Sequence, residues 1–263
     1  MKIALTIAGS DSGGGAGIQA DLRTFAAHGV HGASAITAVT AQNSVRVAAY
    51  AALDPAMVVA QIETVAIDMP IAALKTGMLA NRAIINAVAG AIGRIANGPV
   101  VVDPVMVAKS GDRLLVPEAE RAYVERLFPI ATIITPNLEE AEALLDRPVR
   151  SVAAMRDAAR DLRALGPRAV LVKGGHLYDG TSTDVLCDGD DVLDLPAERI
   201  ETEHTQGSGC TLSAAICARL ALGETLRDAV RGAKAYVSDA VRGAYATGRG
   251  RGTLDHLFAF RGR

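Results

Sequence analysis

Short runs of Ala, Val, Leu and Ile alternate along the chain with amphipathic stretches, and no other feature restricts the fold as much. The run KIALTIA (Lys2–Ala8) is strand-like. After it comes a helix whose Ile18, Leu22 and Phe25 share one face at i, i+4, i+7. Further strands are expected in ASAITAV (Ala33–Val39), in IAALKTGML ending at Lys75, in GPVVVDPVM ending at Asp103, in ATIIT and in PRAVLVKGGH. Helices are expected from Pro55, with Asp54 as N-cap, over Asn81–Ile95, in NLEEAEALL, over Ser151–Leu165, and from about Ser208 and about Glu224. The stretch TSTDVLCDGDDVLDLPA reads as a hairpin turning near Gly189. A βαβα series with one small antiparallel insertion implies an α/β fold: a mostly parallel, doubly wound sheet flanked by helices, in three layers. No linker or internal repeat interrupts it, so residues 1–263 are expected to form a single domain.

Composition narrows the function. Aromatics are 3% of the chain and Trp is absent, so aliphatic side chains must build the core, as in helices packed on parallel strands. A formal net charge of -2 points to neither a nucleic-acid nor a membrane surface. The one basic cluster, RGRGT with Arg249 and Arg251, reads as a solvated tail. Cys187, Cys210 and Cys217 form no C-x-x-C pair, which suits a reducing compartment. Gly and Asp break the first apolar run too early for a signal peptide, and no uninterrupted apolar stretch reaches the ~18 residues of a membrane span. A cytoplasmic location is expected.

The polar residues of interest, Asp103, Asn137, Lys173 and the turn at 207–210, fall just after strands, where open α/β sheets bind ligands. In HTQGSGCTLSAAI (His204–Ile216), Gly207 and Gly209 permit a tight turn, and the helix starting near Ser208 directs free N–H groups at it. Such a turn suits phosphate oxygens; it reads equally as an ordinary Ser-capped helix start. Cys210, in the first helical turn, is either a thiol of lowered pKa or a small buried hydrophobe. Cys217 and Cys187 read as packing residues. The stretch AGSDSGGGAGIQAD (Ala8–Asp21) fails G-x-G-x-x-G, because Ile18 stands where the third Gly belongs, and it lacks the G-K-[ST] of a P-loop. It instead lets a small ligand approach the backbone, with Asp11 and Asp21 available to hydrogen-bond it. Asn137 and Glu140, three apart at a helix start, suit a hydrated Mg²⁺ or a capping box. Asp103 suits a metal-facing carboxylate, and Lys173 the neutralisation of phosphate charge. Together these residues describe a phosphoryl-transfer site.

The stretches TIAGSDSGGGAGIQADLRTF, TAQNS, LKTGML, VVDPVMVAKSGDRLL, ITPNLEEAEALL, VLVKGGH and GSGCTLSAAI resemble the hydroxymethylpyrimidine/phosphomethylpyrimidine kinases of thiamin biosynthesis, in the ribokinase-like superfamily. The resemblance runs in one order from residue 3 to about 240. It implies ATP- and Mg²⁺-dependent phosphorylation of 4-amino-5-hydroxymethyl-2-methylpyrimidine and then of its monophosphate, by a homodimer. It implies that Gln42 pairs with the aminopyrimidine edge and that Gly9, Ala16, Asp21, Met78 and Val105 line the acceptor pocket. Gly207, Ser208, Gly209 and Cys210 would hold the transferring group, with Cys210 where most relatives carry an Asp base. Asp103, Asn137 and Glu140 would organise Mg²⁺, and Lys173 would sit near the ATP phosphates. Two positions depart from the family pattern: Gln206 replaces a His, and Gly13 a Ser. The nearest rival reading is a pyridoxal/pyridoxine kinase; the amide of Gln42 favours the aminopyrimidine, since it can pair with both a ring nitrogen and an amino group. A thiol hydrolase built on Cys210 would need a His partner, and His204, the nearest, has no evident orienting group. A non-catalytic nucleotide sensor would not need Asp103, Lys173 and Cys210 together.

Overall fold

The computed structural model describes residues 1–95, 97–106, 117–175 and 182–261. In chain order the elements are β1 (Ile3–Asp11), α1 (Gly17–Ala27), β2 (His31–Gln42), β3 (Val47–Ala52), α2 (Pro55–Asp68), β4 (Ile71–Thr76), α3 (Arg82–Ile95) and β5 (Val100–Val102). They continue with α4 (Pro117–Ala122), β6 (Ile133–Ile134), α5 (Leu138–Leu145), α6 (Val152–Ala164), β7 (Ala169–Val172), β8 (Asp184–Asp188), β9 (Asp191–Leu195), α7 (Ser208–Ala221) and α8 (Leu226–Arg242). The strands form one nine-stranded sheet in the order β3-β2-β1-β4-β5-β6-β7-β8-β9. Pairings from β2 through β1 and β4 to β7 are parallel. The strand order reverses between β1 and β4, and such a switch point opens a crevice beyond the carboxyl ends.

Each face of the sheet buries its own apolar layer, which gives the expected three layers. Leu5, Ile7, Leu74 and Val102 pack with Ile62 of α2, Ile84 and Val88 of α3 and Leu162 of α6. Ala4, Val101, Ile133 and Leu171 pack on the other side with Phe25 of α1, Ile216 of α7 and Val230 of α8. Strands covered on both faces read as continuous apolar runs, which is why the sequence marks them.

Helix starts follow local chemistry. Asp54 accepts from the Ala56 N–H at 2.7 Å with Pro55 in the first turn, and Ser151 and Thr225 cap α6 and α8. Two expectations need correction. β1 continues past Ala8 through Ser10 and Asp11, which pair with Val39 and Thr40 of β2, because the glycine loop begins only after the sheet ends. The antiparallel β8–β9 hairpin is also not alone, since β3 pairs antiparallel with β2 at the sheet edge. β3 is almost wholly exposed and Ala-rich, so it lacks the period-2 alternation that would mark it in sequence. Residues 107–115 of VVDPVMVAKSGDRLL and His176 of VLVKGGH lie outside the described residues. Among the described residues, no helix is long and apolar enough to cross a membrane.

Candidate active site

A cavity of about 370 Å³ opens at the carboxyl ends of the parallel strands. β1 brings Gly9 to it, β2 brings Gln42, and the segment after β4 brings Met78. Ala16 and Val105 complete the wall, so five of the six residues expected to line an acceptor pocket do line this cavity. Beside it lies a second cavity of about 650 Å³, bounded partly by Ser208, Leu212, Lys234 and Val237. Asn137, Lys173, Gly209, Gly250 and Arg251 line both, so the two cavities meet at the end of β7 and the start of α7.

At that junction the helix start is left open. Gly207 is the N-cap of α7, with φ 77°, and no side chain caps the helix. Ser208 therefore is not the cap; it faces the second cavity. The Gly207 carbonyl accepts from both the backbone N–H and the hydroxyl of Thr211, each at 2.8 Å. The amides of Gly209 and Cys210 have no acceptor within the helix, and both residues line the first cavity. A Cβ on Gly207 would lie 2.0 Å from the Gly15 carbonyl oxygen, so no other residue lets the two glycine loops meet.

Asp11 ties those loops together. Its carboxylate accepts from the amides of Gly13 at 2.8 Å, Gly15 at 3.0 Å and Ala16 at 2.9 Å, and from Nε2 of Gln206 at 3.1 Å. These bonds make Asp11 the residue that shapes the loop, at the wall of the first cavity. Gln206 enters the same network through one amide bond, a structural task that calls for no proton transfer.

Asp21 also departs from expectation. It is fully buried and outside the cavity lining, where its carboxylate binds the Lys75 ammonium at 2.8 and 3.0 Å and the Thr6 hydroxyl at 2.6 Å. Burial pushes the Asp21 carboxyl up, and Lys75 opposes it. It is Lys75 that lines the cavity. Burial alone would lower its ammonium, but Asp21, Cys210 and Asp103 outweigh that and hold it protonated. The sequence reading passed over Lys75 as a strand end. Its position in IAALKTG, after four apolar residues and before a glycine turn, was the available signal.

Lys173 bridges two acids, at 3.0 Å from Asp103 and 3.9 Å from Glu140. Asp103 also accepts from the hydroxyls of Thr135 and Ser213, at 3.1 and 3.3 Å. Burial disfavours the Asp103 carboxylate, yet Lys173 and Lys75 hold it below its usual range. Burial pushes Glu140 up to about 7, against the pull of Lys173. Asn137 and Glu140 form a reciprocal capping box, with both bonds at 2.8 Å. Among the described residues, no group of three or more His, Cys, Asp or Glu could hold a metal ion. With Lys173 between the acids and the capping box occupying Asn137, these residues fit a cation held through its water shell, not one coordinated directly.

Cys210 does not carry a lowered pKa. Burial pushes its thiol up to about 11, with Lys75 pulling the other way and Asp21 and Asp103 adding to the rise. That direction gives no support to an activated thiol there. Cys210→Ser should retain kcat within a fewfold and leave the pH profile unchanged through neutrality. A loss of about 10²-fold or more, within the usual range for general-base catalysis, would restore the base role.

The 245–255 segment is not a solvated tail. Tyr245 and Thr253 exchange backbone hydrogen bonds at 3.0 Å, the Gln206 N–H donates to the Gly252 carbonyl, and the Arg251 N–H donates to the Ser44 carbonyl at 2.9 Å. Glycines separated in sequence by polar residues give no periodic signal for such a tie.

The phosphomethylpyrimidine kinase family model matches residues 11–255. A hydroxymethylpyrimidine/phosphomethylpyrimidine kinase of Rhizobium meliloti is 50% identical over 97% of both chains. A Bacillus subtilis pyridoxal kinase solved as an ADP complex superposes with a TM-score of 0.93 at 39% identity, covering 99% of each chain. A phosphomethylpyrimidine kinase from Clostridium difficile superposes with a TM-score of 0.81 at 42% identity, covering 92% of this chain and 100% of the other.

Proposed function

The chain belongs to the phosphomethylpyrimidine kinase family, and from that premise we propose how its residues divide the work. The reaction is ATP-dependent phosphorylation of 4-amino-5-hydroxymethyl-2-methylpyrimidine and of its monophosphate, in thiamin biosynthesis. The observation that carries the assignment of roles is the junction: Lys173 and Gly209 line both cavities, so a group there can pass from one to the other.

ATP occupies the larger cavity with its γ-phosphoryl at the start of α7. There the amide N–H groups of Gly209 and Cys210 donate to its oxygens, helped by the positive end of the helix. The pyrimidine occupies the smaller cavity between Gly9, Ala16, Met78 and Val105, its edge paired with Gln42. Lys173 and Lys75 flank the hydroxymethyl oxygen and the transferring group and neutralise charge as it spreads over the phosphoryl oxygens. A loose transition state asks little of a base, which agrees with a protonated Cys210 shaping the anion hole. Asp103, Asn137 and Glu140 would hold Mg²⁺ through its waters, where the cation would supply neutralisation of phosphate charge. We further propose one kinase domain over residues 1–263, acting as a cytoplasmic homodimer. The exposed strand β3 at the sheet edge offers a surface for such pairing, and the free cysteines suit a reducing compartment.

Gln42 carries the choice of acceptor. Gln42→Ala should lower kcat/KM for the pyrimidine alcohol by at least about tenfold, equivalent to about 1.4 kcal/mol. Wild-type kinetics in that variant would remove the residue from substrate recognition. The likeness to a B. subtilis pyridoxal kinase favours B6 vitamers as secondary acceptors. Because no aminopyrimidine edge is then present, Gln42→Ala should impair their turnover less.

A further inference from the structure

Arg251 stands apart from the other residues at the junction. Lys173, Asn137 and Gly209 reach both cavities from β7, the loop before α5 and α7; Arg251 reaches both from the C-terminal segment, together with Gly250. Its backbone is fixed there. The Gly250 N–H donates to the Ser44 hydroxyl at 3.2 Å, and a Cβ on Gly250 would lie 2.1 Å from the Ser44 carbonyl oxygen. The Gly252 N–H donates to Nδ1 of His204 at 3.1 Å on the approach to the anion hole. The segment thus clamps the β2–β3 loop to the turn before α7 and holds Arg251 between them.

Its guanidinium has no internal task. Among the described residues no carboxylate pairs with Arg251, whereas Arg227 pairs with Asp188 and Asp191, and Arg261 with Asp255. Lys173, on the same junction, is bound to Asp103, so part of its charge is already neutralised. A planar fork of donors matches phosphate oxygens better than a point charge does. We propose that Arg251 is a catalytic residue, pairing with the β- and γ-phosphate oxygens of ATP at the junction of the two cavities. This rests on the functional reading above for which cavity holds ATP.

The test compares wild type with Arg251→Ala and Arg251→Lys. Binding of the non-hydrolysable analogue AMP-PCP and of AMP is measured at fixed Mg²⁺, and kcat is measured with the pyrimidine alcohol. A charge-assisted hydrogen bond lost from the phosphates predicts that Arg251→Ala weakens AMP-PCP about ten- to a hundredfold. AMP binding should change by less than about twofold, because AMP lacks the contacted phosphates. The kcat should fall by a similar factor with little change in the KM of the alcohol. Arg251→Lys should recover part of both losses, since it restores the charge without the fork. Unchanged AMP-PCP affinity in Arg251→Ala would overturn the proposal. A defect confined to the KM of the monophosphate acceptor would overturn it too, assigning Arg251 to acceptor capture at the cavity mouth. If wild type failed to phosphorylate the alcohol, the functional reading would fail, while the nucleotide-binding comparison would still decide the role of Arg251.

Discussion

Asp21→Ala should destabilise the protein by about 3–5 kcal/mol in urea unfolding, because it strands the Lys75 ammonium without its counter-ion in a fully buried site. The pair is buried between β1, α1 and β4, and no other carboxylate hydrogen-bonds Lys75 among the described residues. The paired replacement Asp21→Leu with Lys75→Met should recover most of that stability, since apolar side chains of similar volume remove both desolvation penalties. It should not recover activity. Without the Lys75 charge, kcat should stay at least about 10²-fold below wild type, the range seen when one donor to a developing anion is removed. A stable double variant with normal kcat would reduce Lys75 to a structural role.

Lys173→Ala should lower kcat by about 10²–10³-fold, with a smaller change in the KM of the pyrimidine. Two effects act together. The transferring group loses a cation at the place where the two cavities meet. Asp103 and Glu140 also lose the charge that offsets their burial and mutual repulsion, so Glu140 should take up a proton more readily still. In wild type, Glu140 titrates at about 7, raised from the usual carboxylate range, so its charge is present above that pH and lost as pH falls through it. The variant should therefore need a higher pH to reach its residual maximum. Activity of Lys173→Ala within a fewfold of wild type, with an unshifted pH profile, would exclude the residue from phosphate neutralisation.

The parallel sheet was legible because strands buried on both faces carry continuous apolar runs, as β7 does throughout and β1 and β4 do in their first residues. β3 was not, because an exposed alanine-rich edge strand carries no alternation. Asp103, Asn137 and Lys173 could be found in sequence because each closely follows a strand; Gly207–Cys210, expected there too, instead lies well past the end of β9 at Leu195 and was marked by its glycines before a helix. What each polar group is bonded to was not legible. Asp11 and Asp21 looked like ligand contacts, yet their partners, Gln206 and Lys75, lie 195 and 54 residues away. The thiol of Cys210 looked activated from its place at a helix start. The burial and neighbouring carboxylates that push it up come from distant segments that only folding brings together.

The most direct test of the phosphoryl-transfer account is ADP release by the purified protein with ATP and Mg²⁺. The acceptors to compare are the pyrimidine alcohol, its monophosphate, pyridoxal and pyridoxine. Turnover of both pyrimidines, with kcat/KM for the alcohol above that for either B6 vitamer, is the predicted result. ADP release with the B6 vitamers but neither pyrimidine, or with none of the four, would contradict it.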